Sequence, residues 1–170
     1  MIAAATTRSR GQLRPLAAAY GLLWACTAAG VGLAALGGVE LTTGTPRDAL
    51  PARPNVAVNL VAHNTLVAIW PLVLVALGWT AIPIARTLAD TAIASHLLGH
   101  GLLVGSALGS HPDTWRYLPH LPVEWLALAA PAGAWLTART AGHVALMRTL
   151  LLTAALLIAA ACMETYAVPI

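Results

Sequence analysis

The sequence predicts an all-α, polytopic membrane helix bundle with about five transmembrane helices, and three observations carry the prediction. First, only 9% of the 170 residues are charged and 59% are hydrophobic, whereas a soluble domain carries about 25% charged residues. A globule this small has a large surface for its volume, and so few charges would leave that surface mostly apolar. Second, the apolar residues fall in blocks long enough to span. No Asp, Glu, Lys or Arg lies between Val56 and Ile84, and a span takes roughly 20 apolar residues. Third, the blocks are separated by short segments holding prolines, glycines and most of the charges, which is how connections between spans read.

Residues 1–14 are polar, basic and rich in small residues, and are expected to form a cytoplasmic tail. Residues 15–170 are expected to form a single transmembrane helical domain. The first span is expected over about Pro15–Leu36, with Pro15 in the first turn, where its missing amide hydrogen costs nothing. The block is too long for a cleaved signal peptide and more spans follow it. A loop with Glu40, Gly44, Pro46, Arg47, Asp48, Pro51 and Arg53 comes next. The second span is expected over about Val56–Ile82 and contains Asn59, His63, Asn64 and Pro71, the last of which can kink it. A polar link with Arg86 and Asp90 precedes a third span over about Thr91–Leu108, which carries His96 and His100. The following loop, Gly109–Pro119, holds His111, Asp113 and Arg116, and its Trp115 and Tyr117 suit an interfacial aromatic belt. The fourth span is expected over about His120–Leu136, with Glu124 near its start and Pro131 inside. The fifth is expected over about Leu146–Thr165, with Glu164 at its far end.

All nine basic residues are scattered arginines. They form no dense basic stripe, so nucleic acid is not an expected partner. Their distribution sets the orientation instead. One set of span ends owns Arg8, Arg10, Arg14, Arg86, Arg139 and Arg148, and the other owns Arg47, Arg53 and Arg116. The larger set is expected inside, which gives a multi-pass protein of the cell membrane with its N-terminus cytoplasmic and its C-terminus outside. Cys26 and Cys162 both lie in apolar blocks and read as small buried hydrophobes.

With that topology the polar residues converge. Asn59, His63 and Asn64 fall in the outer part of the second span, His120 and Glu124 at the outer end of the fourth, and Glu164 at the outer end of the fifth. His120 and Glu124 are one turn apart and share a face. Ionisable groups inside a span are costly unless they face a cavity or a partner, so one layer of them on different helices points to a hydrated pocket. The alternative is a hydrogen-bonded knot that holds the helices together. His63 and His120 are of the right type to bind Zn2+, which in catalytic sites keeps three protein ligands and a water. Glu124 would be a ligand or general base, and Glu164 a further ligand or the base. Asn59 or Asn64 would stabilise a developing oxyanion. His100, deeper than His63, either reaches the pocket as a ligand or packs structurally with His96. The spacing from His120 to Glu124 is not HExxH.

The run Leu118-Pro119-His120-Leu121-Pro122-Val123-Glu124, with Ala127, resembles the Pro-His-Gly-x-x-Glu segment of stage II sporulation protein M-like membrane proteins. Asn59 and Asn64 early in one span, Glu164-Thr165 with Pro169 at the end of the last, and His100-Gly101 extend the likeness over most of the chain from Val56 onward. Leu121 departs from it by replacing the usual glycine, which denies close approach to the backbone there. The resemblance implies a multi-span bundle whose polar residues matter. It also implies association with envelope remodelling, or with maturation, export or immunity of peptide products. Two functional expectations follow from residues and resemblance together. One is a metal-dependent peptidase acting on a peptide or membrane-adjacent substrate. The other is a non-enzymatic component of a transport, immunity or envelope-remodelling complex. The lipid bilayer is the expected environment, and the small residues in the spans suit a homo-oligomer or a membrane-protein partner.

Overall fold

A computed structural model describes residues 2–38, 41, 53–111, 115 and 119–167 of the chain. Glu40, Gly44, Pro46, Arg47, Asp48, Pro51, Asp113, Arg116, Tyr117, Leu118 and Pro169 lie outside the described residues. Five long helices are described: α1 (Ile2–Gly37), α2 (Pro54–Ala76), α3 (Pro83–Ser110), α4 (Leu121–Ala141) and α5 (Leu146–Cys162). A 3-10 turn, Trp79–Ala81, joins α2 to α3, and a π-helical turn, Met163–Ala167, extends α5. The chain is thus an all-α, polytopic membrane bundle. α1, α2, α3 and α5 with its extension are each long and apolar enough to cross a bilayer. α4 is more polar, yet at 21 residues it reaches roughly 30 Å at 1.5 Å per residue, the thickness of the hydrocarbon core.

Four element boundaries differ from the sequence expectation: the fourth span, expected to end at about Leu136, runs on to Ala141, so Arg139 is a helical residue and not part of a link, and three others shift as well. α1 already starts at Ile2, so Pro15 is inside the helix rather than in its first turn; the Ala, Arg, Gln and Leu residues before it are good helix formers. α2 ends at Ala76, where Leu77 and Gly78 turn the chain, with Gly78 left-handed at φ 73°. Pro83 then takes the first turn of α3, so Arg86 and Asp90 are helical residues and not a link.

α4 is the centre of the bundle. It packs against α1, α2 and α5, and Trp125, Leu128, Pro131 and Trp135 are among its buried residues. Its enclosure explains its composition, because a helix facing protein on most sides does not need the apolar coat that lipid demands. α1 and α3 form the closest pair. Gly101, Gly105 and Gly109, spaced four apart on α3, lie on the backbone of α1. A Cβ on Gly101 would fall 2.8 Å from the Leu23 carbonyl oxygen, and one on Gly109 2.6 Å from that of Val31. Small residues at this spacing let two backbones meet, which supplies packing where lipid removes the hydrophobic drive. Thr27 then joins α1 to α4: its hydroxyl donates to the Leu23 carbonyl (2.8 Å) and accepts from the Trp125 indole N–H (3.1 Å).

At the α4 C-terminal end, Asp90 of α3 accepts a hydrogen bond from the Trp135 indole N–H (2.8 Å) and pairs with Arg139 (2.7 Å). Asp90 is therefore a structural clasp. Elsewhere the long apolar side chains point outward, among them Leu66, Val73, Leu88, Leu103, Leu151 and Ile158, as a lipid-facing surface requires. Cys26 is buried as expected, whereas Cys162 is exposed on the outer face of α5.

Two stability predictions follow. Gly105→Ala drives a Cβ into the Thr27 backbone and should destabilise the bundle by about 1–3 kcal/mol. Gly21→Ala, with open space around it, should be neutral or stabilise by up to about 1 kcal/mol. Thermal unfolding in detergent should show the opposite directions. Asp90→Ala leaves the buried Trp135 N–H without its acceptor and should cost about 1–3 kcal/mol. An unchanged melting temperature would remove the clasp from the account.

Candidate functional site

The other end of α4 is polar. His120 precedes its first turn, and its backbone carbonyl accepts the first helical bonds, from Val123 and Glu124. Pro122 sits in the first turn, where a missing N–H is tolerated, and Glu124 lies in that turn at the positive end of the helix dipole. One turn separates His120 from Glu124, so both side chains face the same way. The π-helical turn after α5 carries Glu164. Such wide turns shift the following side chains around the axis and recur at functional sites.

The three side chains meet. His120 Nε2 lies 3.8 Å from Glu124 Oε2 and 3.9 Å from Glu164 Oε2. His120 is 5% exposed. Both separations exceed a direct hydrogen bond and match a gap shared with a small third group. The other ring nitrogen, Nδ1, is buried without a hydrogen-bond partner among the described residues. A buried polar atom left unpaired costs free energy. Across the gap, Asn64 of α2 donates from Nδ2 to Glu124 Oε1 at 3.1 Å, which fixes the carboxylate and leaves its second amide hydrogen unassigned.

These residues line one cavity of about 290 Å³. His63 and Asn64 come from α2, His100 from α3, His120 and Glu124 from the α4 end and Glu164 from the α5 end, with Leu60, Val67, Leu128 and Leu157 as apolar walls. His100 Nδ1 lies 3.0 Å from the His96 carbonyl oxygen. A carbonyl only accepts, so in this contact Nδ1 is the donor. His96 lies outside the cavity, edge-on to Trp70 with ring centroids 5.6 Å apart.

Of the residues singled out from sequence, Asn64, His63, His100, His120, Glu124 and Glu164 share this cavity, and Asn59 does not. Asn59 is exposed on α2. Five residues turn a helix by roughly 140° beyond a full circle, so Asn59 and Asn64 occupy different faces. Sequence reasoning missed the apolar walls, since Leu60, Val67, Leu128 and Leu157 look like any other span residues. Among the described residues no set of three His, Cys, Asp or Glu side chains stands as a ready metal cage.

Fold and site together define an integral membrane helix bundle with a cavity lined by both polar and apolar side chains. No family model, curated protein or solved structure matches the chain.

Asn64→Leu removes the donor to a carboxylate inside the bundle and should lower stability by about 1–3 kcal/mol. Asn59→Leu should stay within about 0.5 kcal/mol of the parent. Equal melting temperatures for the two variants would show that the Asn64–Glu124 bond does not hold α2 to α4.

Proposed function

We propose that the protein is a membrane-embedded peptidase whose cavity faces the outer side. The observation that carries this reading is the gap between His120 and the two carboxylates. It is spaced for one shared water, in a cavity that polar and apolar side chains line together. In the reaction, the water oxygen attacks the carbonyl carbon of the peptide bond while Glu124 takes its proton. That proton passes to the amide nitrogen as the C–N bond breaks, giving a carboxylate and an amine. Asn64 holds Glu124 in place, and its second N–H is the donor available to the developing oxyanion. His120 and Glu164 orient the water from the other side.

The donor types also suit a zinc ion. Bonds of about 2.0–2.2 Å in a tetrahedral site put ligand atoms roughly 3.3–3.6 Å apart, so the 3.8 and 3.9 Å separations would close by a few tenths of an ångström. His120, Glu124 and Glu164 would hold the ion, with His63 on the cavity wall as a further donor. Such an ion would bring the pKa of its water to about 7. The resemblance to stage II sporulation protein M-like proteins falls on the same His120, Glu124 and Glu164 and is retained within the proposal.

A second reading has its own support. Asn64–Glu124 bridges α2 to α4, and His120 brings Glu164, at the end of α5, to within 3.9 Å, so the cluster also gathers three helices. In that reading the protein is a non-enzymatic component of a transport, immunity or envelope-remodelling complex.

Glu124→Gln separates the two. Under the peptidase reading it should keep its melting temperature and lose at least about 10²-fold in turnover of peptides presented in vesicles. Parent-level turnover would remove Glu124 as the base, and a collapse of assembly with no hydrolysis in the parent would favour the second reading. Metal content of the purified protein, compared with a folded His120→Ala variant, tests the zinc form: stoichiometric zinc lost in the variant supports it, and a metal-free parent with full activity excludes it.

A further inference from the structure

We infer that the cavity takes its substrate sideways from the membrane, through the seam between α2 and α3, and that this substrate is a lipid-embedded peptide segment unwound where it enters. The inference rests on the peptidase reading and names the substrate class for the same site.

Three observations converge on the seam. α2 packs on α4 and α5 but barely touches α3; Trp70 against His96 is one place where the two meet. His63 both lines the cavity and is exposed on the flank of the bundle, so the cavity opens there. The opening is deep. His63 lies nine residues into α2 and His100 ten residues before the end of α3, which is roughly 14–15 Å at 1.5 Å per residue, about half of a ~30 Å hydrocarbon core. A mouth at that depth faces acyl chains.

The contents of the cavity select the occupant. Leu60, Val67, Leu128 and Leu157 accept apolar side chains, while His120, Glu124 and Glu164 meet a polar group between them. A membrane-spanning peptide brings both. It cannot bring them as an intact helix: a helix keeps its backbone about 2.3 Å from its axis, inside a coat of side chains roughly 10–12 Å wide and with its carbonyls hydrogen-bonded along the chain, so no peptide bond of an intact helix reaches His120 and Glu124. The segment must open locally, which Gly or Pro within the span makes easier.

The test uses the full chain in vesicles, with Glu124→Gln so that capture needs no turnover. A benzophenone amino acid is placed at position 63, or at position 60 should the first variant fold poorly, and at Ile158 as a lipid-facing control on α5. The probes are a single-span peptide with a Gly-Pro pair at mid-depth, the same peptide with Leu-Leu in its place, and a soluble peptide of the same central sequence. The expected result is capture of the Gly-Pro span at positions 63 and 60, loss of capture with Leu-Leu, and none at Ile158. Equal capture at Ile158, or capture of the soluble peptide alone, overturns the lateral route. Capture as expected by a parent protein that never cleaves the span would sink the peptidase reading and leave the route standing. Cleavage of the soluble peptide without capture of the span would do the reverse.

Discussion

The enclosure of α4 is the constraint on which the rest of the structure depends. Lipid solvates no backbone and no charge, so a helix that begins with His120 and Glu124 and ends with Arg139 is tolerated only where protein surrounds it. α1, α2 and α5 supply that surround. α1 in turn is held by the glycines of α3, whose missing side chains let the two backbones touch. The polar end of α4 can therefore face inward, toward groups on α2 and α5, instead of toward acyl chains.

Both ends of this helix carry ionisable groups, and they are used differently. At the C-terminal end, Asp90 is satisfied by Trp135 and Arg139 at hydrogen-bonding distance. That is a closed structural arrangement. At the N-terminal end, His120 faces two carboxylates from beyond hydrogen-bonding distance, with its second nitrogen unpaired among the described residues. The contrast within one helix separates a clasp from a receptive site better than either end would alone. It also explains why the cavity keeps apolar walls, since polar groups are costly in this environment and are confined to where they meet one another.

The span count and the layer of polar residues were legible in the sequence for a simple reason. Long uncharged blocks have few fates other than lipid, and an ionisable residue inside one is conspicuous against that background. The pairing of His120 with Glu124 was legible too, because residues four apart on a helix share a face. Asn59 shows where one-dimensional reasoning stops: depth placed it beside Asn64, but helical phase turned it to another face. Asp90 shows the same limit from the other side, since its role depends on Trp135 and Arg139, which are distant in the chain and adjacent in space.

By itself, then, the sequence determined an all-α membrane bundle, the approximate spans and the position of each polar group along its span. These follow from local composition and from the fixed rise and period of a helix. Only the tertiary structure decided which helix is enclosed, which faces meet, and that His63, Asn64, His100, His120, Glu124 and Glu164 line one cavity. Those facts depend on the rotation and contact of whole helices, set here by glycines on α3 and by the packing around α4. No periodicity within a single span encodes the position of its neighbours.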